Sequence, residues 1–351
     1  MGKCLVTKLN GVVSDNSILK VGEMRVKFQK VSQPNFKTQG VAFQFNKNVE
    51  LKIIGDGYFT DKTLSENNGQ NIKIYADSLT TVYVSNADVE ISIPDKYSLV
   101  GLFLSDQESG EYSSYKDIAN KTVNIDNLAY SNDLQKLYAY SPETTGSIDS
   151  LKNTKNLTYL MLYTSNIYGS IDSLDLSKVN SLLVYNSKIS GDLSKCTLSN
   201  CLEVNTKNTD VVVSLSLNAP KIVNAVLTHV LGGIDIFKGI STLETLSLYE
   251  SSTGGDIATM PDRMKSINIS NPSSVNPFSW TSRKESANVI SLSGFIKLGS
   301  DVDKMLNNQA KCTVGNVDNK IIQVYGTRTS ASDAAVQTLQ SKGYTVSVTP
   351  A

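Results

Sequence analysis

The sequence predicts a mainly β protein: an N-terminal β-sandwich or barrel module, then a solenoid of repeated coils, then a β-α-β C-terminal cap. Three observations carry this. The phrase Ile-Asp-x-(Leu/Phe), a gap, Leu-x-x-Leu-x-Leu, Tyr, and then Gly seven residues after the last leucine runs clearly at 148–162, closing on Tyr163 and Gly169. It returns at 234–248, closing on Tyr249 and Gly255. Recurrence at a steady period marks a stack of like units, none of which can bury its apolar face alone. Before the array the apolar residues alternate with period two, and after it a helical segment sits between two alternating ones.

Residues 1–76 form the first module. Met24-Arg25-Val26-Lys27-Phe28-Gln29, Val41-Ala42-Phe43-Gln44-Phe45-Asn46 and Val49-Glu50-Leu51-Lys52-Ile53 each present one apolar face, as half-buried strands do. Asn10-Gly11 signals a hairpin and Gly55-Asp56-Gly57 a tight turn. These strands do not follow the later phrase, so the module is expected to be a separate anchoring domain.

The solenoid is expected over 77–318. Leu79, Val82 and Val84 open it, Leu99, Leu102 and Leu104 repeat them, and a polar insertion occupies 105–121. The leading apolar positions are then Leu134, Leu157, Val179, Ser199 (a degenerate copy on Leu202 and Val204), Ile222, Leu243, Met264 and Val289. Their spacings are 23, 22, 20, 23, 21, 21 and 25. Strand alternation should stack Leu160 and Leu162 on Leu137/Ala139 below and Leu182/Val184 above, while the Ile of each Ile-Asp closes the opposite wall. Pro272, Pro277, Phe278 and Trp280 interrupt the period and predict a packed loop between 271 and 286. The cap is expected over 319–351: a strand at 321–325, a helix started by Ser332-Asp333 and ended by Gly343, and a strand at 344–348.

Composition narrows the function. The 351 residues carry 33 basic and 33 acidic side chains and no net charge, so no global field steers the chain toward nucleic acid or an anionic membrane. No run of 18 apolar residues occurs and the start lacks a secretory stretch, which predicts neither membrane insertion nor export from this Met1. Cys4, Cys196, Cys201 and Cys312 include no C-x-x-C pair; Cys196 and Cys201 either meet across a turn or fill the core. His229 is the only histidine and no nucleophile phrase accompanies it, so no catalytic residues and no enzyme activity are expected. Asp126, Asp149, Asp172 and Asp235 recur one coil apart and could cap turns or hold calcium, although the glycine-rich calcium-binding repeat is missing. No metal and no cofactor are assigned.

The candidate binding residues are aromatic. Tyr140, Tyr163, Tyr185 and Tyr249 each follow the last apolar residue of a repeat strand, where alternation points a side chain outward. They predict a ladder on the sheet face, with Tyr138, Met161, Leu183 and Val226 beside it, offering flat apolar area with polar tips to a protein or a sugar. The bland alternative is that the rings cover the sheet and favour strand formation.

Leu157-Thr158-Tyr159-Leu160-Met161-Leu162 with Gly191-Asp192-Leu193 and Gly255-Asp256-Ile257 resembles leucine-rich repeats, most of all the irregular ones of bacterial surface and phage proteins. The likeness covers about 79–300; the usual asparagine after the strand is replaced by Ser165, Ser187 and Ser251. The opening at 1–13 and the phrases at 326–330 and 343–346 are similar to structural proteins of crAss-like bacteriophages. That resemblance implies a virion component made in the host cytoplasm: a capsid decoration, head fibre or tail-associated protein. Its first module would dock on other virion proteins, and the repeats would face a partner protein or host surface glycan, with homo-oligomerisation left open. The alternative is a bacterial cell-surface adhesin exported by a signal upstream of Met1.

Overall fold

The computed structural model describes residues 121–280, 291–299, 301–312 and 320–350, and, before them, the strands Leu5–Val6, Glu23–Val31, Val41–Gln44, Lys52–Gly55, Asn71–Tyr75, Thr81–Val84, Ala87–Ser92 and Gly101–Leu104. The chain divides into two compact units, Met1–Lys178 with Leu183–Ile189, and Val179–Leu182 with Ser190–Ala351.

The coil after Leu157 shows the path of a repeat in the first unit. In strand Tyr159–Tyr163 the inward side chains Leu160 and Leu162 are fully buried, in register with Leu137 and Ala139 of strand Lys136–Tyr140. The chain then turns through Thr164 in a left-handed conformation (φ 46°) and drops Ser165 into the interior. It runs back as strand Asn166–Ser170 and turns again through a 3-10 segment, Ile171–Ser173, whose Ile171 forms the opposite wall. Both walls are parallel sheets, as a chain coiling in one sense requires. The first wall also contains Thr81–Val84 and Gly101–Leu104.

The N-terminal strands pair antiparallel onto these walls. Glu23–Val31 lies between Asn71–Tyr75 and Ala87–Ser92, and Val41–Gln44 pairs with Thr81–Val84. The rest of the expected sandwich or barrel, and most of the insertion at 105–121, lie outside the described residues.

The second unit has a wall of Glu203–Asn205, Asn224–Thr228, Thr245–Tyr249 and Ser266–Ser270, all parallel. Register corrects one expected position. Val204 pairs with Ala225, so the residue leading this coil is Cys201, fully buried, and not Ser199; Leu202 points out and is 49% exposed. The thiol fills a leucine's place as a small apolar group, and burial pushes it up to about 12. Counting from Cys201 evens the period. The loop expected after Asn271 is packed as far as it is described: Phe278 and Trp280 are buried, and Phe278–Ser279 pairs parallel with Gly255–Asp256.

The C-terminal end holds the expected strand Ile321–Gly326, helix and strand Thr345–Thr349, preceded by strand Ser291–Gly299, where the copy led by Val289 was expected to have its strand, and by a helix that was not expected, α1, Val302–Lys311. Helix α2, Asp333–Ser341, completes a β-α-β-α-β closure with all three strands parallel. The two helices are tied at their ends. Asp303 of α1 accepts from Thr329 N, Thr329 Oγ1 and Ser332 Oγ ahead of α2. Lys342 Nζ, just after α2, donates to the carbonyls of Ala310 (2.6 Å) and Cys312 (2.7 Å), which end α1.

Candidate functional site

The outward positions of the first wall follow from strand alternation. In the first unit they are Lys136 and Tyr138 on one strand and Tyr159, Met161 and Tyr163 on the next, all partly exposed. Tyr138 and Tyr159 stack with centroids 6.2 Å apart, and the Lys136 ammonium lies 5.3 Å from the centre of the Tyr159 ring. Burial, and then the neighbouring Tyr159, raise the Tyr138 hydroxyl above the ordinary tyrosine value.

Three of the four expected ladder residues do assemble. Tyr163 stacks on Tyr185 at 4.6 Å and 21° between planes, and meets Tyr140 edge-on at 5.7 Å. The stacking distance matches the ~4.7–4.9 Å separation of neighbouring strands, so coil geometry alone brings the rings into contact. Packing hides more of them than the sequence suggested: Tyr140 and Tyr185 keep only 6% and 8% of their surface, and Leu183, also expected outward, is buried. Tyr249 belongs to the second unit, where the neighbouring strands bring Thr228 and Ser270 beside it and Lys207 Nζ lies 4.3 Å from its ring centre.

Of this group Tyr163 stays partly exposed, with one face covered by Tyr185 and Tyr140 packed edge-on against it. Tyr159 and Lys136, which the sequence reading passed over, lie on the accessible part. Tyr159 has the same strand parity as Met161 and Tyr163, and that parity was the available signal.

The recurring aspartates are occupied by turn hydrogen bonds. Asp126 accepts from Ser147 N, Asp149 from Ser170 N and Asp235 from Asp256 N, each one coil onward. Asp149 also takes Ser173 Oγ at 2.7 Å and Ser147 Oγ at 3.1 Å, and the Ser173 bond leads the effects that hold its carboxyl below the usual range. Asn124, Ser147, Ser170, Asp192 and Asp256 cap the 3-10 turns of their own coils.

The asparagine of the usual repeat has a hydroxyl substitute. Ser165, Ser187, Thr209 and Ser251 are buried at equivalent corners; Ser187 donates to Val184 O, Thr209 to Thr206 O and Ser251 to Tyr249 O, satisfying carbonyls that leave the first wall. The coils share with leucine-rich repeats a strand on one wall, a corner and a return strand ending in a short 3-10 turn. No family model and no curated protein matches the chain. Among solved structures it is similar to an internalin (inlF) from Listeria monocytogenes, at 19% identity and TM-score 0.40 over 78% of this chain and 82% of that one. It is also similar to the plant peptide hormone receptor RGFR1 in complex with RGF2, at 16% identity and TM-score 0.42, and to PEPR1 in its structure with AtPEP1, at 12% and 0.31. These alignments cover 75% and 78% of this chain and 51% of each receptor chain, so it spans about half their length. The likeness in pattern is one of register and burial within the coils themselves.

His229 occupies a left-handed corner (φ 52°), its Nε2 3.9 Å from Glu250. Cys196, Cys201 and Cys312 are buried free thiols, which leaves Cys196 and Cys201 unbridged. Among the described residues no helix is long and apolar enough to cross a membrane.

Proposed function

We propose that the chain is a non-enzymatic binding protein whose repeats present Lys136, Tyr138, Tyr159, Met161 and Tyr163 to a protein partner, as an outward component of a phage particle anchored through residues 1–76. The observation that carries the binding reading is the row of tyrosines beside one lysine. Aromatic area that loses little side-chain entropy, with polar tips, is what protein interfaces concentrate. The virion assignment rests on the terminal phrases alone.

The test has two arms. Mass spectrometry of purified particles should detect the chain; recovery instead from protease-shaved bacterial surfaces would replace the virion reading with the adhesin one. Tyr138→Ala with Tyr159→Ala should lower attachment to host cells about tenfold and leave thermal stability nearly unchanged. Equal attachment by the variant would remove the face from function, and inhibition by free surface polysaccharide would name a glycan as the ligand.

A further inference from the structure

The last strand of the closure is a sheet edge among the described residues. Among the described residues Thr345–Thr349 pairs only with Ile321–Gly326 and ends its sheet. Natural edge strands are protected by lysines, prolines, bulges or a covering segment, because unpaired backbone groups recruit another strand. Within Thr345–Thr349 there is no charge, no proline and no register shift.

Its sequence, Thr-Val-Ser-Val-Thr, reads the same in both directions. The backbone parity agrees with that symmetry. Thr345 N donates inward to Lys320 O, so Thr345, Ser347 and Thr349 direct their backbone groups at the neighbouring strand, and those of Val346 and Val348 point out of the sheet. We propose that a second copy of this chain pairs on this edge, antiparallel, about a twofold axis at Ser347. In that register Val346 of one copy faces Val348 of the other, and each such pair exchanges both hydrogen bonds. Ser347 meets its own symmetry mate in a non-hydrogen-bonded pair, and Thr345 faces Thr349.

Side chains and charges fit a self-contact. Val346 and Val348 lie on the same side as the buried Ile322 and Val324 but stay half-exposed, and a symmetry mate would cover them. A twofold axis brings like charges together, so the surface around it must be neutral. The exposed residues of α2, the helix that packs against this strand, include Ala334, Gln337 and Gln340. The helix's one acid, Asp333, is paired with Arg328 Nη1 at 2.5 Å, and Lys342 is turned onto the end of α1. Pro350 follows the strand directly and limits pairing to the symmetric residues.

Sedimentation of the full chain over a broad concentration range should show a monomer–dimer equilibrium. Val346→Pro removes an outward N–H that the fold does not use and should raise the dimer dissociation constant about tenfold or more. Ser347→Cys, an exposed site, should give a disulfide-linked dimer on oxidation, because non-hydrogen-bonded antiparallel partners lie at about 4.5 Å between Cα atoms. Thr345→Cys should not, since its mate in the dimer is Thr349. A chain that stays monomeric throughout overturns the proposal. So does a dimer unaffected by Val346→Pro, or cross-linking through Thr345→Cys as fast as through Ser347→Cys; if Val346→Pro fails to fold, the cysteine pair decides.

Discussion

Gly169 shows why each coil repeats a glycine after its leucines. Its φ is +106°, and a Cβ there would come within 2.8 Å of Ser147 Oγ and 3.1 Å of Asp149 Oδ2, the groups that cap the coil before it. Gly169→Ala thus adds both a disfavoured conformation and a clash with the capping ladder. It should cost about 2–4 kcal/mol, read by urea denaturation, and a cost near zero would mean the ladder is slack. At this scale the sequence was partly legible. The Gly, the Ile-Asp and the leucines announced themselves by recurrence, and the turn-capping reading of the aspartates matches the geometry. The lead of one coil was given to Ser199 because a cysteine does not look like a leucine, although Cys201 takes the leucine's buried position. The tyrosines were found by parity, but parity reports direction and not cover. Only the contact of one ring with the next reveals that Tyr140 and Tyr185 are buried.

At the scale of elements, the two helices of the closure hold each other through Asp303. Burial alone would raise its carboxyl, yet hydrogen bonds from Ser332 and Thr329 outweigh that and hold it below the usual range. A depressed folded value means the stabilisation is complete above the unfolded value of about 3.9 and fades as pH falls through the folded one. Asp303→Asn should therefore cost about 1 kcal/mol near neutrality, solvent screening included, and the gap to the parent chain should close below about pH 4. A gap that stays constant with pH would show that the ionised form is not what the clamp uses. Helix α1 itself escaped the sequence reading. Val302, Met305, Leu306 and Gln309 are its buried positions, at helical spacing, but Asn307-Asn308 and the polar Gln309 in the core weakened the signal. The α2 unit was plain, with Ser332-Asp333 before it and Gly343 after it.

For the molecule as a whole, a stack of coils predicts stability that sums over neighbours. Leu246 pairs in register with Ala225 and Ile267, and Ile322 with Leu292 and Val346, so they share no partner. Leu246→Ala and Ile322→Ala should each cost about 2–5 kcal/mol, and together they should cost the sum to within about 0.5 kcal/mol. A larger departure would show coupling beyond adjacent strands. The coil architecture was legible here because period is a property of the whole chain and survives one degenerate copy.

The burial of Trp280 has a practical consequence. It is the chain's single tryptophan, fully enclosed in the second unit, and the stacked rings of Tyr140, Tyr163 and Tyr185 lie in the first. Indole emission is thus an optical reporter of one unit, and the near-ultraviolet dichroism of coupled phenol rings is weighted toward the other. One unlabelled sample, heated once and read in both channels, will show whether the two units melt together.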